Sequence, residues 1–91
     1  MFLTFGGIEF DNVFYDIDAD VLYMHVGNPA TAVDFGESSE GHHTRYGAAG
    51  ELVGTTVVNA RRLLETDGVI VVTLPDRRLE VRDLGDVLSA A

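Results

Sequence analysis

From Asp20 to Val26 polar and apolar residues alternate, DVLYMHV, so that Leu22, Met24 and Val26 share one face while Val21, Tyr23 and His25 share the other. This is the pattern of a strand with one buried face, and the aliphatic set is the better core face. Upstream, Gly6 and Gly7 lie between FLTF and IEF and signal a two-residue hairpin over Phe2 to Phe10. Asp11 and Asn12 turn the chain into a short strand, Val13 to Tyr15, which enters the acidic turn Asp16 to Asp20. Gly27, Asn28 and Pro29 end the alternating strand. A weak strand over Ala30 to Phe35 and an exposed loop, GESSEG, come next. Two strands follow, His42 to Tyr46 and Glu51 to Val58, joined by a turn that Gly47 and Gly50 bracket.

Asn59 is placed to cap a short helix over Ala60 to Thr66 that Gly68 ends. The unbroken β-branched run VIVVTL, Val69 to Leu74, predicts a strand covered on both faces. Pro75, Asp76 and Arg77 turn the chain into Leu79 to Arg82. Leu84, Val87, Leu88 and Ala91 then recur at helical spacing and predict a short C-terminal helix. The pattern as a whole predicts one α+β domain over residues 1–91, a mainly antiparallel β-meander sheet of six to eight short strands with one or two short helices on one face.

Composition narrows the chemistry more than the fold. A chain of 91 residues, 46% of them apolar, fills one core. The absence of cysteine removes disulfides, thiolate ligands and thiol nucleophiles, and the absence of lysine removes Schiff-base chemistry and a phosphate-loop lysine. Fifteen carboxylates against six arginines give a net charge of -9, which repels nucleic-acid backbones and anionic membranes and favours a basic protein partner. The competing reading is that this acidity acts only on solubility. No apolar run reaches membrane-spanning length and the opening MFLTFGGIEF lacks a basic start, so the expectation is a soluble, unexported, cytoplasmic protein.

The segment YDIDADVLYMHV, through Tyr15, Asp16, Asp20, Leu22, Tyr23 and Met24, resembles the opening of a small bacterial and archaeal family, domain-of-unknown-function family 2283. Gly50, Leu52, Val53, Gly54, Val57, Val58, Asn59 and Ala60 resemble that family's closing strand. The resemblance covers about the middle half of the chain. It implies a small antiparallel β domain and supplies no catalytic residues. Because some members are encoded beside small toxin-like proteins, it also implies a protein-binding, antitoxin-like role. The chain departs from the family at His42, His43 and Thr44, where aliphatic residues are usual, so that strand is expected either to lie at an edge or to be covered by something bound.

Several constellations are candidates for chemistry. Asp16, Asp18 and Asp20 have the spacing that opens a calcium loop, but Val21 and Gly27 stand where glycine and a bidentate glutamate belong, so the triplet is read as a structural turn. His42 and His43 are adjacent and point to opposite faces of a strand. One of them meeting His25 across the sheet, with Glu40 or Asp34, would suit zinc or nickel, against the plainer reading of exposed edge-strand histidines. Ser38 and Ser39 lack the framing of a nucleophile elbow, and Gly47 and Gly50 precede a strand where a phosphate loop must precede a helix. Gly54 within a strand marks a bulge or a close approach. Arg61 with Arg62 and Arg77 with Arg78 are the local basic spots, read as solvated or paired with neighbouring acids.

No catalytic set and no cofactor follow from this inventory. Unprotected sheet edges, with Phe2, Phe5, Phe10, Phe14 and Phe35 more numerous than a small core hides, point to a homodimer. The leading reading is a non-enzymatic protein-interaction module for a basic partner. The alternative is a metal- or small-ligand-binding domain built from His25, His42, His43 and nearby carboxylates.

Overall fold

The computed structural model describes residues 2–84 and residue 87. Within them nine strands form three antiparallel sheets with one α-helix, an α+β architecture. The central sheet has five strands in the order β3-β4-β7-β6-β5, made of Asn12–Asp16 (β3), Val21–His25 (β4), Asp34–Glu37 (β5), His43–Tyr46 (β6) and Leu52–Val58 (β7). The hairpin Leu3–Phe5 (β1) with Ile8–Phe10 (β2), the helix Ala60–Asp67 (α1), and the hairpin Ile70–Thr73 (β8) with Arg78–Val81 (β9) supply the rest. The expected α+β class with antiparallel β-meander pairing holds, with nine strands among the described residues where six to eight were expected, and with the outer hairpins as separate two-stranded sheets.

The period-two pattern decides what is covered. Val13 and Tyr15 on β3, Leu22 and Met24 on β4 and Val57 on β7 are buried against Phe5, Phe10, Ile70, Val72 and Leu79 of the added hairpins. Leu84 and Val87 complete this core. Of the five phenylalanines expected to exceed what the core hides, Phe5 and Phe10 are 0% exposed while Phe2, Phe14 and Phe35 stay exposed. In β8 only alternate residues are buried: Ile70 and Val72 point inward while Val71 and Thr73 are half-covered, so VIVVTL is not enclosed on both faces. Its partner β9 is a hairpin neighbour instead of a second covering layer. Val26, placed on the core face by alternation, lies just past the end of β4 and is exposed.

Gly6 and Gly7 form the first hairpin with φ of 59° and 85°, the left-handed pair that a tight two-residue turn requires. A Cβ at Gly6 would sit 2.7 Å from the Cβ and Cδ2 of Leu79, because this turn lies directly on β9. Gly6→Ala therefore combines a disfavoured φ with a steric clash, and an expected loss of about 2 kcal/mol follows. Denaturant midpoints compared with Gly7→Ala, which meets nothing within 4 Å, separate the clash from the φ penalty.

The polar stretch after Pro29 is more ordered than its composition indicates. A 3-10 turn, Pro29–Thr31, replaces the start of the expected strand, and β5 begins only at Asp34. GESSEG is divided between β5 and a tight turn in which Ser38 N–H donates to the His42 carbonyl at 2.7 Å and Gly41 N–H to the Ser38 carbonyl at 3.0 Å. The strand carrying His43 and Thr44 is interior, between β5 and β7, and not an edge. The C-terminal helix predicted through Leu84, Val87, Leu88 and Ala91 falls on a stretch whose residues 85–86 and 88–91 lie outside the described residues.

The acidic turn does more than reverse the chain. Asp16 Oδ1 accepts the amides of Asp18 and Ala19 at 3.1 and 3.2 Å, an Asx-type turn. Asp20, at φ 55°, turns its carboxylate to the start of α1 and accepts the amides of Arg61 at 2.8 Å and Arg62 at 3.2 Å. Those are the donors an N-cap side chain satisfies. Asn59 holds the N-cap position with φ 59° but makes no side-chain cap, so the cap is delivered from the β3–β4 turn across the fold. Gly68 closes the helix as expected, at φ 72°, donating to the Leu64 carbonyl at 3.0 Å.

Candidate functional site

Among the described residues, no layer covers the second face of the five-stranded sheet. Register places Phe14 opposite Tyr23, His25 opposite Gly54, Gly54 opposite Arg45, and Arg45 opposite Phe35. Directly paired residues in an antiparallel sheet project to one side, so these form two adjacent rows on one face: Phe14 and Tyr23 run on through Thr56 and His43 to Glu37, and Asn12 and His25 run through Gly54 and Arg45 to Phe35. Phe14 is 62% exposed, Tyr23 42% and Phe35 70%. The Phe14 and Tyr23 rings stack at 6.1 Å between centroids, 26° apart. Asn12, Tyr23, Met24, His25, Arg45 and Thr56 line a shallow depression of about 370 Å³ in this face.

Arg45 organises the depression. Its Nε donates to His25 Nε2 at 3.0 Å and its Nη1 to Thr56 Oγ1 at 3.0 Å. The two side chains meet over Gly54, where a Cβ would lie 2.6 Å from His25 Nε2 and 2.8 Å from Arg45 Nε. A strand glycine thus permits the close approach, and the register also shifts beside it, between Arg45 and Tyr46. Among the described residues no carboxylate pairs with Arg45, although the chain carries fifteen. Burial lowers the guanidinium's affinity for its proton, yet it stays charged across the working range. An unpaired, half-buried cation calls for an oxygen acceptor from elsewhere.

The three histidines do not form a centre. His25 lies beneath Arg45 on the open face, His43 is exposed on that same face, and His42 is 1% exposed on the opposite side. Among the described residues no three His, Asp or Glu side chains converge as a metal's ligands would. Two of the rings are also held in tautomers unsuited to a metal. His25 Nε2 accepts from Arg45, and His42 Nδ1 accepts the Val58 amide at 3.2 Å. In each neutral ring the remaining nitrogen must then carry the proton, which leaves no second lone pair for an ion. The exposed-edge reading is corrected for His42, which is a core histidine of an interior strand.

Burial, the largest influence, lowers the pKa of both rings. The Arg45 charge adds to this for His25 while the Val26 backbone opposes it; for His42 the Glu40 charge opposes it and His43 reinforces it. The unfolded rings take up protons near the ordinary value of about 6.5, where the folded ones still refuse them. Stability is therefore expected to be full above that pH and to fall as pH drops below it toward the depressed folded values. Urea midpoints between pH 8 and pH 5 check this, and a flat profile over the interval would count against both buried neutral rings.

The other candidates resolve into structural roles. Ser38 is buried; its Oγ accepts the His42 amide at 3.1 Å and its hydroxyl bonds to the Glu40 carboxylate. Glu40, in the β5–β6 turn, accepts the Thr73 amide at 2.8 Å and the Thr73 hydroxyl at 2.5 Å, tying the central sheet to β8. Desolvation acts to raise the Glu40 pKa, but the hydrogen bonds from Thr73 and Ser38 outweigh it and leave it lowered. Arg61 lies over the Tyr15 ring at 5.9 Å, and Arg78 pairs loosely with Glu80 at 3.6 Å, as does Arg82 at 3.4 Å. Arg45 and Tyr23 are the candidates that pattern reading missed, whereas Phe14 and Phe35 were among the aromatics it set apart. Their signal was the aromatic and polar content of the face opposite the aliphatic one. No protein family, curated protein or solved structure matches this chain.

Proposed function

We propose that this protein is a non-enzymatic protein-interaction module that takes a basic polypeptide onto the open face of its central sheet. The observation that carries the reading is the exposure of Phe14, Tyr23 and Phe35 on one sheet face, with an Arg45 between them that no carboxylate among the described residues pairs. Around these side chains stand Asp11, Asp16 and Asp18 at the ends of β3 and Glu37 at the end of β5. An apolar centre within a polar rim is the anatomy of a protein interface. Here the rim is acidic, so the fitting partner has an apolar centre, lysines or arginines around it, and one oxygen acceptor for Arg45. The antitoxin-like role rests on the family resemblance, and we place the encounter in the cytoplasm.

The test is copurification from an extract of the source cell at low and high salt, with wild type beside Phe35→Asp. A basic protein retained at low salt, weakened at high salt and lost with Phe35→Asp supports the reading. Capture that ignores both salt and the substitution sinks it. A second reading is a homodimer through β5, whose four residues are all exposed and whose outer edge meets no strand among the described residues. Asp34 and Glu37 of two copies would face one another there, so a dimer of this kind should strengthen with salt, the opposite sign, as sedimentation would register.

A further inference from the structure

A groove on the other side of the molecule, remote in kind from the aromatic face, combines a buried donor without a partner and a free carboxylate. Glu40, His42, Leu63, Asp67, Val71 and Arg78 are among its lining residues, and its volume is about 340 Å³. That is the lower end of the range for small-molecule pockets. We propose that this groove binds a small aliphatic primary amine that also carries an oxygen acceptor, an amino-acid-amide-like molecule, with its ammonium on Asp67 and Glu40 and its oxygen on the Nε2–H of His42.

The polarity of each contact follows from the neighbours. His42 Nδ1 is occupied as an acceptor by the Val58 amide, so Nε2 carries the hydrogen. That Nε2 is buried and has no hydrogen-bond partner among the described residues. A buried donor left unmade costs free energy, and because Nε2 is closed off in the empty groove, the wall must yield slightly for a ligand's acceptor oxygen to meet it. A metal ion or a bare ammonium cannot do so. The carboxylate of Asp67, the last residue of α1, makes no hydrogen bond or ion pair among the described residues. Glu40 keeps its negative charge while its oxygens accept from Thr73.

Arg78 is the lone cation of the lining, and it is already drawn to Glu80. The local balance is therefore negative, which favours a cationic ligand over a free amino acid's carboxylate. Leu63, Val69 and Val71 form the apolar wall, suited to a branched aliphatic chain.

Leucinamide is the probe, compared with isopentylamine, which lacks the oxygen, and 4-methylpentanamide, which lacks the ammonium. Calorimetric titration is expected to show leucinamide binding at least tenfold tighter than either, and the His42 ring Nε2–H resonance should move on its addition. Asp67→Asn, an exposed change that leaves the fold intact, should weaken leucinamide tenfold or more. Phe35→Asp should leave it unaltered, which separates this site from the sheet-face interface. The proposal is overturned if leucinamide fails to saturate at millimolar concentration, if isopentylamine binds as well, if Asp67→Asn has no effect, or if the ring signal reports only an exchanging water.

Discussion

Asp20→Ala is expected to lower folding stability by about 3 kcal/mol, a large loss for a residue that is not buried. Three effects converge on this carboxylate. It caps α1 through the Arg61 and Arg62 amides, and such a cap is worth about 1 kcal/mol. It accepts the Tyr15 hydroxyl at 2.7 Å, and Tyr15 is a core residue whose hydroxyl would otherwise lose its partner, at about 1–3 kcal/mol. It also adopts φ 55°, which alanine tolerates less well than aspartate or asparagine. These effects share atoms and do not add in full. Asp20→Asn, which keeps the backbone preference and one acceptor oxygen, should lose about half as much.

The pH dependence distinguishes charge from shape at the same residue. Desolvation acts to raise the Asp20 pKa, but the Tyr15 hydroxyl and the two helix amides outweigh it and hold the carboxyl below the ordinary aspartate range. Its contribution is then fully present above the unfolded value of about 3.9 and is lost as pH falls through the depressed folded value. Wild type and Asp20→Asn should accordingly converge in stability as pH is lowered below about 4. Chemical denaturation at pH 7 and pH 3 checks both statements. A gap between the two proteins that stays constant with pH would mean that the charge of Asp20 contributes nothing.

What the linear pattern revealed and what it hid have separate physical causes. Period-two alternation is a local property, so Leu22 and Met24 were assignable to the core and the Gly6-Gly7 hairpin was legible from two residues. Capping from a distance is not local. Asn59 has the right residue type at the right place, yet the carboxylate that does the work belongs to a residue about forty positions earlier, as the Arg61 amide bond to Asp20 records. VIVVTL illustrates a second limit, since a continuous β-branched run gives the same pattern whether one face or both are covered. His42 illustrates a third. Adjacent histidines necessarily point apart in a strand, but which of the two enters the core depends on the β6–β7 register, and that is fixed by Gly54 and the shift between Arg45 and Tyr46.

On the open sheet face, substitution should abolish binding while leaving the fold nearly untouched. Tyr23 stands in an interior strand, stacked on Phe14 and bordering the depression that holds Arg45, the position from which an aromatic anchor dominates an interface. Tyr23→Ala is expected to weaken the captured basic partner by at least 2 kcal/mol, about thirtyfold, while the lost ring stack lowers stability by about 1 kcal/mol. Phe35 gives the cleaner separation. It lies on edge strand β5 with 70% of its surface exposed, so Phe35→Asp removes apolar contact area without opening a cavity. Its folding stability should stay within about 0.5 kcal/mol of wild type, while binding falls at least as far as with Tyr23→Ala. The added charge deepens the acidic rim, so salt-dependent encounter with a basic partner should speed up even as dissociation becomes much faster. Association and dissociation rates measured against the copurified partner resolve the two contributions. Equal loss of stability and of binding in both variants would mean that the exposed aromatics support the sheet and not a partner.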